Sequence, residues 1–316
     1  MRKPITIISI GGNAIIRRNE KGTIEEQFEH TLAAMRQVAK ILRDGSGVVI
    51  THGNGPIIGN IVIRNESAKD VVPPMPLYIC DADSEGGIGL MLQQSLYNCL
   101  KKAGISREVV TIVTQVVVTQ DDPAFSNPTK PIGPFYSEKE AGSLAQGKGW
   151  ILKEDSGRGF RRVVPSPIPL KIIESGVIKK LADSGVIVIA AGGGGVPVIE
   201  ESDGKLKGVD AVIDKDLATA ILAKEIGAER IINLTSVDKV YINFGQKDQK
   251  GLDNISFEDA LKYLNAGEFA PGSMGPKIES AIEFLKAGGK EVIITSPECL
   301  EDAMKGRGGT VIRARH

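Results

Sequence analysis

The sequence predicts an α/β protein, a mostly parallel sheet with helices on both faces. Three observations carry this. Apolar runs such as Ile5-Thr6-Ile7-Ile8-Ser9-Ile10 and Val186-Ile187-Val188-Ile189-Ala190 are continuous instead of alternating, as strands covered on both faces must be. Stretches with apolar residues at helical spacing separate them. Glycine-rich breaks follow the strands, at the carboxyl ends where such sheets bind ligands.

The elements follow in order. The β-branched run Ile5–Ile10 is the first strand. Thr23-Ile24-Glu25-Glu26 has the capping-box pattern, and Phe28, Leu32, Met35, Val38 and Leu42 then recur at helical spacing until Gly45 and Gly47. Val48-Val49-Ile50-Thr51 is the next strand, and Pro56 suits the start of the helix after it. Residues 88–100 read as a helix, 109–118 as one long strand, 170–181 as a helix and 186–190 as a strand. Helices over 214–222, 257–264 and 277–285 alternate with strands over 230–234 and 291–295.

Bulk properties narrow the function. A chain of 316 residues fits one large α/β domain or two smaller ones. With 39 basic and 39 acidic side chains, nothing suggests a general nucleic-acid or membrane surface, so local lysines must carry any anion binding. Cys80, Cys99 and Cys299 form no CxxC pair, and His30, His52 and His316 complete no zinc spacing. The first apolar run is too short for a signal peptide, and the stretch 185–199 holds four successive glycines and a proline, so a cytoplasmic protein is expected.

Four glycine-rich breaks carry the chemistry: Gly11-Gly12-Asn13-Ala14, His52-Gly53-Asn54-Gly55-Pro56, Gly192-Gly193-Gly194-Gly195 and Gly272-Ser273-Met274-Gly275-Pro276-Lys277. Glycine lets backbone N–H groups approach an anion, and a helix starting just after adds positive potential. Four such turns suggest a ligand with several phosphates, or two phosphorylated ligands meeting, hence phosphoryl transfer. The usual machinery is missing: there is no GxxxxGK[ST] loop and no HRD or DFG string. Gly53 to Gly59 approaches a dinucleotide fingerprint, but the last glycine is one residue late and Pro56 interrupts it.

Asp214-Lys215-Asp216 opens a helix, where the acid can orient neighbouring lysines and the lysine neutralise a moving phosphoryl group, or the pair can be a capped helix end with surface charges. Lys277 at a helix start either shares an anion with that helix end or is an exposed first-turn lysine. Asn13 and Asn54 either contact the ligand or only form turns. Residues 121–169 hold seven prolines and only short apolar stretches, reading as a lid with Lys130 and Arg158, Arg161 and Arg162 directed at the site, or as a solvated surface excursion.

On these residues the chain resembles carbamate kinase, of the amino-acid kinase superfamily. The matching strings are Gly11-Gly12-Asn13-Ala14, residues 51–56, Met75-Pro76-Leu77, residues 127–135 and 157–167, the glycine quartet with Val196-Pro197, and residues 208–217 and 270–277. The resemblance implies a single domain, a three-layer αβα sandwich with a mainly parallel sheet and a small protruding lid subdomain over 121–169. It implies transfer between ATP plus carbamate and ADP plus carbamoyl phosphate with Mg²⁺ held by the nucleotide phosphates, in a homodimer serving arginine breakdown. Gly11, Gly12, Asn13, Gly53, Asn54 and Gly55 would cradle the transferred group and acceptor. Lys130, Lys215 and Lys277 would supply charge, and Asp214 would hold lysines in place. Thr235, Val240, Tyr241, Ala270, Gly272, Ser273, Met274 and Gly275 would border the nucleotide.

Relatives in the superfamily carry a lysine on the first strand. This chain has Ile8-Ser9-Ile10 there, so another lysine must supply the charge, as Lys130 or Lys215 could. It also departs from the typical Cys-Gly-Ala-Met-Ser-Gln-Gly, reading Cys80-Asp81-Ala82-Asp83-Ser84-Glu85-Gly86, with Ile57 in place of a glutamine and Ser236 in place of an acid. Two readings stand: drift on a dimer face or outer helix, or a divergent branch with altered partner, acceptor or kinetics. The same fold also serves kinases of other small carboxylates and non-catalytic nucleotide-binding paralogues.

Overall fold

The computed structural model describes residues 4–17, 20–42, 45–155, 157–270 and 272–314, with only the backbone of Asn13. Along the chain run β1 (Ile5–Ile10), α1 (Ile24–Lys40), β2 (Gly47–His52), α2 (Ile57–Ala68), α3 (Leu77–Lys102), β3 (Val109–Thr111) and β4 (Gln115–Val117). Then come α4 (Pro123–Ser126), β5 (Lys130–Tyr136), α5 (Glu138–Lys148), β6 (Leu152–Glu154), β7 (Phe160–Val164), β8 (Lys171–Ile172), α6 (Ser175–Asp183) and β9 (Ile187–Ile189). The remainder is β10 (Val196–Glu200), β11 (Leu206–Gly208), α7 (Lys215–Ile226), β12 (Arg230–Leu234), β13 (Val240–Ile242), β14 (Lys250–Leu252), β15 (Asn254–Ser256), α8 (Phe257–Asn265), α9 (Met274–Lys286), β16 (Glu291–Thr295), α10 (Leu300–Met304) and β17 (Thr310–Arg313).

The main sheet has the order β15-β17-β16-β12-β1-β2-β9-β3 and is parallel except where β17 meets β16. Its strands are apolar throughout because both faces are covered. Ile5, Ile7, Val49, Val188 and Ile231 pack with residues of α6, α7 and α9. Ile8, Ile10, Val48, Ile50 and Ile232 pack with α1, α3 and α10. This is the predicted three-layer α/β architecture. The capping box forms, with Glu26 N donating to Thr23 Oγ1 and Thr23 N to Glu26 Oε2.

Two expected elements are divided. The long strand over 109–118 is β3 and β4, in different sheets. Thr114 N donates to Glu85 Oε2 and Gln115 N to Glu174 Oε2, so side-chain carboxylates take the amides that an unbroken strand would give to a neighbour. The helix over 170–181 starts only at Ser175, because Lys171–Ile172 pairs antiparallel with β4. Conversely, α3 begins at Leu77, eleven residues before the expected start, where Asp210 Oδ1 accepts from Leu77 N.

Segment 121–169 contains α4, α5 and a separate antiparallel sheet of order β5-β7-β6. It leaves and returns at adjacent points, since Leu170 N donates to Val117 O beside the β4–β8 pair. Ile132 and Val164 pack with Ile58, Val62, Leu77, Cys80 and Val212, seating this sheet on α2 and α3. The closest approach joins Gly59 of α2 to Gly133 of β5: a Cβ on Gly59 would lie 2.0 Å from Gly133 Cα. Backbone cannot yield there as a side chain can. Gly59→Ala is expected to destabilise the protein by about 1–3 kcal/mol through overpacking. An unchanged denaturation midpoint would contradict this.

Candidate active site

The first two glycine turns meet at the carboxyl ends of the neighbouring strands β1 and β2. Gly53 N donates to Ile10 O and Gly11 N to Leu234 O. A Cβ on Gly12 would fall 2.7 Å from both Cα and N of Gly55, so the turns interlock backbone to backbone and only glycine fits. Gly55 has a φ of +51°. Beside them, a Cβ on Gly53 would lie 3.3 Å from Lys215 Cδ. Asn13 has its backbone in the first turn; its side chain lies outside the described residues.

The N-terminal turn of α7 gathers the three expected lysines. Asp214 caps the helix by accepting from Asp216 N (2.9 Å) and also accepts from Lys130 Nζ (2.7 Å) of β5. Asp216 accepts from Lys215 Nζ at 2.6 Å through one oxygen and from Lys277 Nζ at 2.9 Å through the other. Asp214 thus holds one lysine only, and Asp216 holds the other two. The sequence reading missed Asp216. Its signal was the second acid of Asp-Lys-Asp, which lies in the first helical turn within reach of a lysine sixty-one residues away.

Lys215 Nζ also donates to Ser9 Oγ at 2.7 Å. The ammonium therefore arrives at the first strand from α7, beside Ser9. Burial alone would raise the Asp216 carboxyl, but the Lys215 and Lys277 ammonium groups hold it well below the usual carboxylate range. Burial pulls Lys215 down to about 8 against the attraction of Asp216, with Lys277 adding repulsion. Burial likewise opposes ionisation of Asp214, and the Lys130 charge overcomes it.

The residues expected to border the nucleotide differ in exposure. Thr235 follows β12 and donates its N–H to Thr295 O. Tyr241 is half-buried with its hydroxyl on Asp238, whereas Val240 is wholly buried in the core and its N–H bonds to Thr310 Oγ1. Ala270, Gly272 and Ser273 are exposed, Met274 is half-buried, and Gly275 N donates to Ala270 O as α9 begins. Pro271, within that turn, lies outside the described residues.

Two expectations change. The glycine quartet does not form an open anion cradle: its glycines are buried, and Gly192 N donates to Glu85 Oε1. The group it holds is the chain's own Glu85 carboxyl. The lid arginines do not reach the site. Arg158 and Arg161 pair with Asp155 and lie over the Phe135 ring, while Arg162 lies over Trp150. Asp155 and aromatic faces within the same segment hold these cations. Lys130 alone of the four reaches across, to Asp214.

The acidic departures divide too. Asp83 lines a groove between α1, α2 and α3 with Ile57 and Arg64. Asp81 and Glu85 turn inward and are 4% and 1% exposed, which removes drift on an outer face as their explanation. Burial pushes the Glu85 carboxyl up to about 8, against the amide donors Thr114 and Gly192. The folded state therefore retains a proton on Glu85 that the unfolded chain releases near 4.5. The resulting stability is full below about 4.5, and is lost as pH rises through about 8. His52, driven down to about 4 by burial, acts oppositely below its ordinary 6.5. Between roughly pH 6.5 and 8 the Glu85 slope is therefore unopposed by His52, and Asp81, whose carboxyl burial also raises, adds a slope of the same sign. In that window the wild-type melting temperature should fall with pH, and Glu85→Gln should flatten the decline; parallel curves would contradict this.

The comparisons with known proteins agree. The model of the amino acid kinase family matches residues 4–296. A carbamate kinase of Pyrococcus horikoshii is 49% identical over 308 residues, covering 97% of this chain and 98% of the relative. The structure of carbamate kinase from Giardia lamblia bound to citric acid superposes with a TM-score of 0.93 at 44% identity, and that enzyme bound to AMP-PNP with 0.91 at 45%, each covering 99% of both chains. A first strand, two interlocked glycine turns and an aspartate-held lysine cluster thus sit in a chain that belongs to the amino acid kinase family and, within it, to the carbamate kinases.

Proposed function

We propose that the chain transfers a phosphoryl group reversibly between ATP and carbamate, giving ADP and carbamoyl phosphate. The observation that carries this reading is the convergence of Lys130, Lys215 and Lys277 on Asp214 and Asp216, beside the turns at Gly12 and Gly53. Three ammonium groups held before substrate arrives stabilise charge on the migrating group without reorganisation. A carbamate oxygen attacks the γ-phosphorus and the bond to the ADP oxygen breaks; in reverse, an ADP oxygen attacks carbamoyl phosphate. No enzyme nucleophile is needed, so catalysis is alignment plus charge neutralisation. Gly11, Gly12, Asn13, Gly53, Asn54 and Gly55 cradle the group and acceptor, and Thr235, Tyr241 and the turn from Ala270 to Gly275 border the nucleotide.

The protein side offers Mg²⁺ little. Among the described residues no three His, Cys, Asp or Glu side chains gather as a metal site, and Asp214 and Asp216 are engaged by lysines. In this reading Mg²⁺ comes with the nucleotide phosphates, as is usual for this ion. The reading includes a homodimer in the cytoplasm that makes ATP from carbamoyl phosphate in arginine breakdown. Among the described residues no helix is long and apolar enough to cross a membrane.

ATP formation from ADP and carbamoyl phosphate in a coupled assay is the expected result. A phosphorus NMR acceptor screen tests the alternatives. Phosphorylation of another small carboxylate but not carbamate would overturn the acceptor, and nucleotide binding without any turnover would overturn catalysis. The lid reading has its own test. Because Val117 and Leu170 are joined by a hydrogen bond, residues 121–169 can be excised between adjacent ends. Excision should preserve nucleotide binding and abolish transfer; persisting transfer would refute a lid that completes the site.

A further inference from the structure

Asn54 stands on the second glycine turn with its side chain enclosed. Ser84 Oγ donates to Asn54 Oδ1 at 2.9 Å, and Asn54 Nδ2 donates to Asp81 Oδ1 at 3.4 Å. The third wall is Gly193, where a Cβ would come within 2.2 Å of Asn54 Oδ1. Ser84 is anchored in turn, its hydroxyl also lying 2.8 Å from the carbonyl of Asp81. One hydrogen-bonding group thus faces each end of the amide and holds it in place. Asp81 Oδ2 is buried without a hydrogen-bond partner among the described residues. A buried carboxyl left half-satisfied lowers stability, so its retention calls for a benefit elsewhere.

We propose that Asp81 is a positioning residue: with Ser84 it fixes the orientation of the Asn54 amide, so that the turn carrying Asn54 presents one arrangement of donors to the acceptor. The kinetic consequence rests on the carbamate kinase reading; the orientation itself does not. Burial, with Glu85 and Asp210 nearby, pushes the Asp81 carboxyl well above its usual range, while the bond from Asn54 works the other way. His52, on the same turn, is kept neutral by burial, and Lys215 packs beside Gly53. An uncharged acceptor of the same shape therefore suffices, which makes Asp81→Asn a rescue and Asp81→Ala a loss.

The test compares Asp81→Ala and Asp81→Asn in two measurements. In the coupled assay, Asp81→Ala should raise KM for carbamoyl phosphate about tenfold while KM for ADP stays within about twofold, as for one lost hydrogen bond acting on one substrate. Asp81→Asn should restore the wild-type value. An unchanged KM, equal changes in both KM values, or failure of Asp81→Asn to rescue overturns the proposal. Independently, hydrogen exchange of the Asn54 side-chain amide, assigned by its absence in Asn54→Ala, should quicken in Asp81→Ala and remain slow in Asp81→Asn. Unchanged exchange in Asp81→Ala overturns the positioning role even if the wild-type protein transfers no phosphoryl group, a result that would defeat the functional reading alone.

Discussion

Lys277→Ala and Lys215→Ala should each lower turnover at least about 100-fold while the protein remains folded. Both ammonium groups are largely buried and bonded to the same carboxylate, so each is a charge in fixed position and not a solvated side chain. The fold should survive a single loss because Asp216 retains the other lysine. Losing Lys215 also removes the ammonium bonded to Ser9 of the first strand. The double variant should lose stability as well, since a buried carboxylate would then stand alone. The effects on turnover should not add, because the two groups act as a unit. Single-turnover rates with circular dichroism as the folding control make the measurement. Near-wild-type turnover of both single variants would refute the roles of these lysines.

Asp216→Asn should be costlier to stability than Asp214→Asn, by about 3–5 kcal/mol against about 1 kcal/mol or less. The asymmetry follows from burial. Asp216 is 5% exposed and stands between two ammonium groups that would otherwise repel each other. The Lys130–Asp214 pair is partly open to water, which screens it. Turnover of Asp216→Asn should fall at least about 100-fold, since both lysines lose the group that aims them. Asp214→Asn should act mainly through Lys130 and the seating of the lid. Denaturant unfolding ranks the two variants, and a larger loss of stability in Asp214→Asn would reverse the assignment.

The strands and helices were legible where local pattern decides them. The runs at Ile5–Ile10, Arg230–Leu234 and Glu291–Thr295 have the bounds expected of them, because an apolar run buried on both faces signals itself without its neighbours. The Thr23 capping box formed because its partners are three residues apart. The lysines, the paired glycine turns and the family were visible as strings of residue types.

What the chain order could not display is which distant carboxylate each buried group meets. The separation of β3 from β4 depends on Glu85 and Glu174 capturing two amides. Asp216, not Asp214, joins Lys215 to Lys277 because the packing of α9 on α7 brings a lysine from sixty-one positions away. The third glycine turn binds Glu85, and the lid arginines bind Asp155 and aromatic rings, although by composition both resembled phosphate ligands. The sequence by itself determined the layered α/β frame, the glycine turns and the set of cations, since these follow from local hydrophobic period and backbone freedom. Only the tertiary structure decided how charges are partnered, because that pairing acts over a few ångströms in space and is independent of separation along the chain.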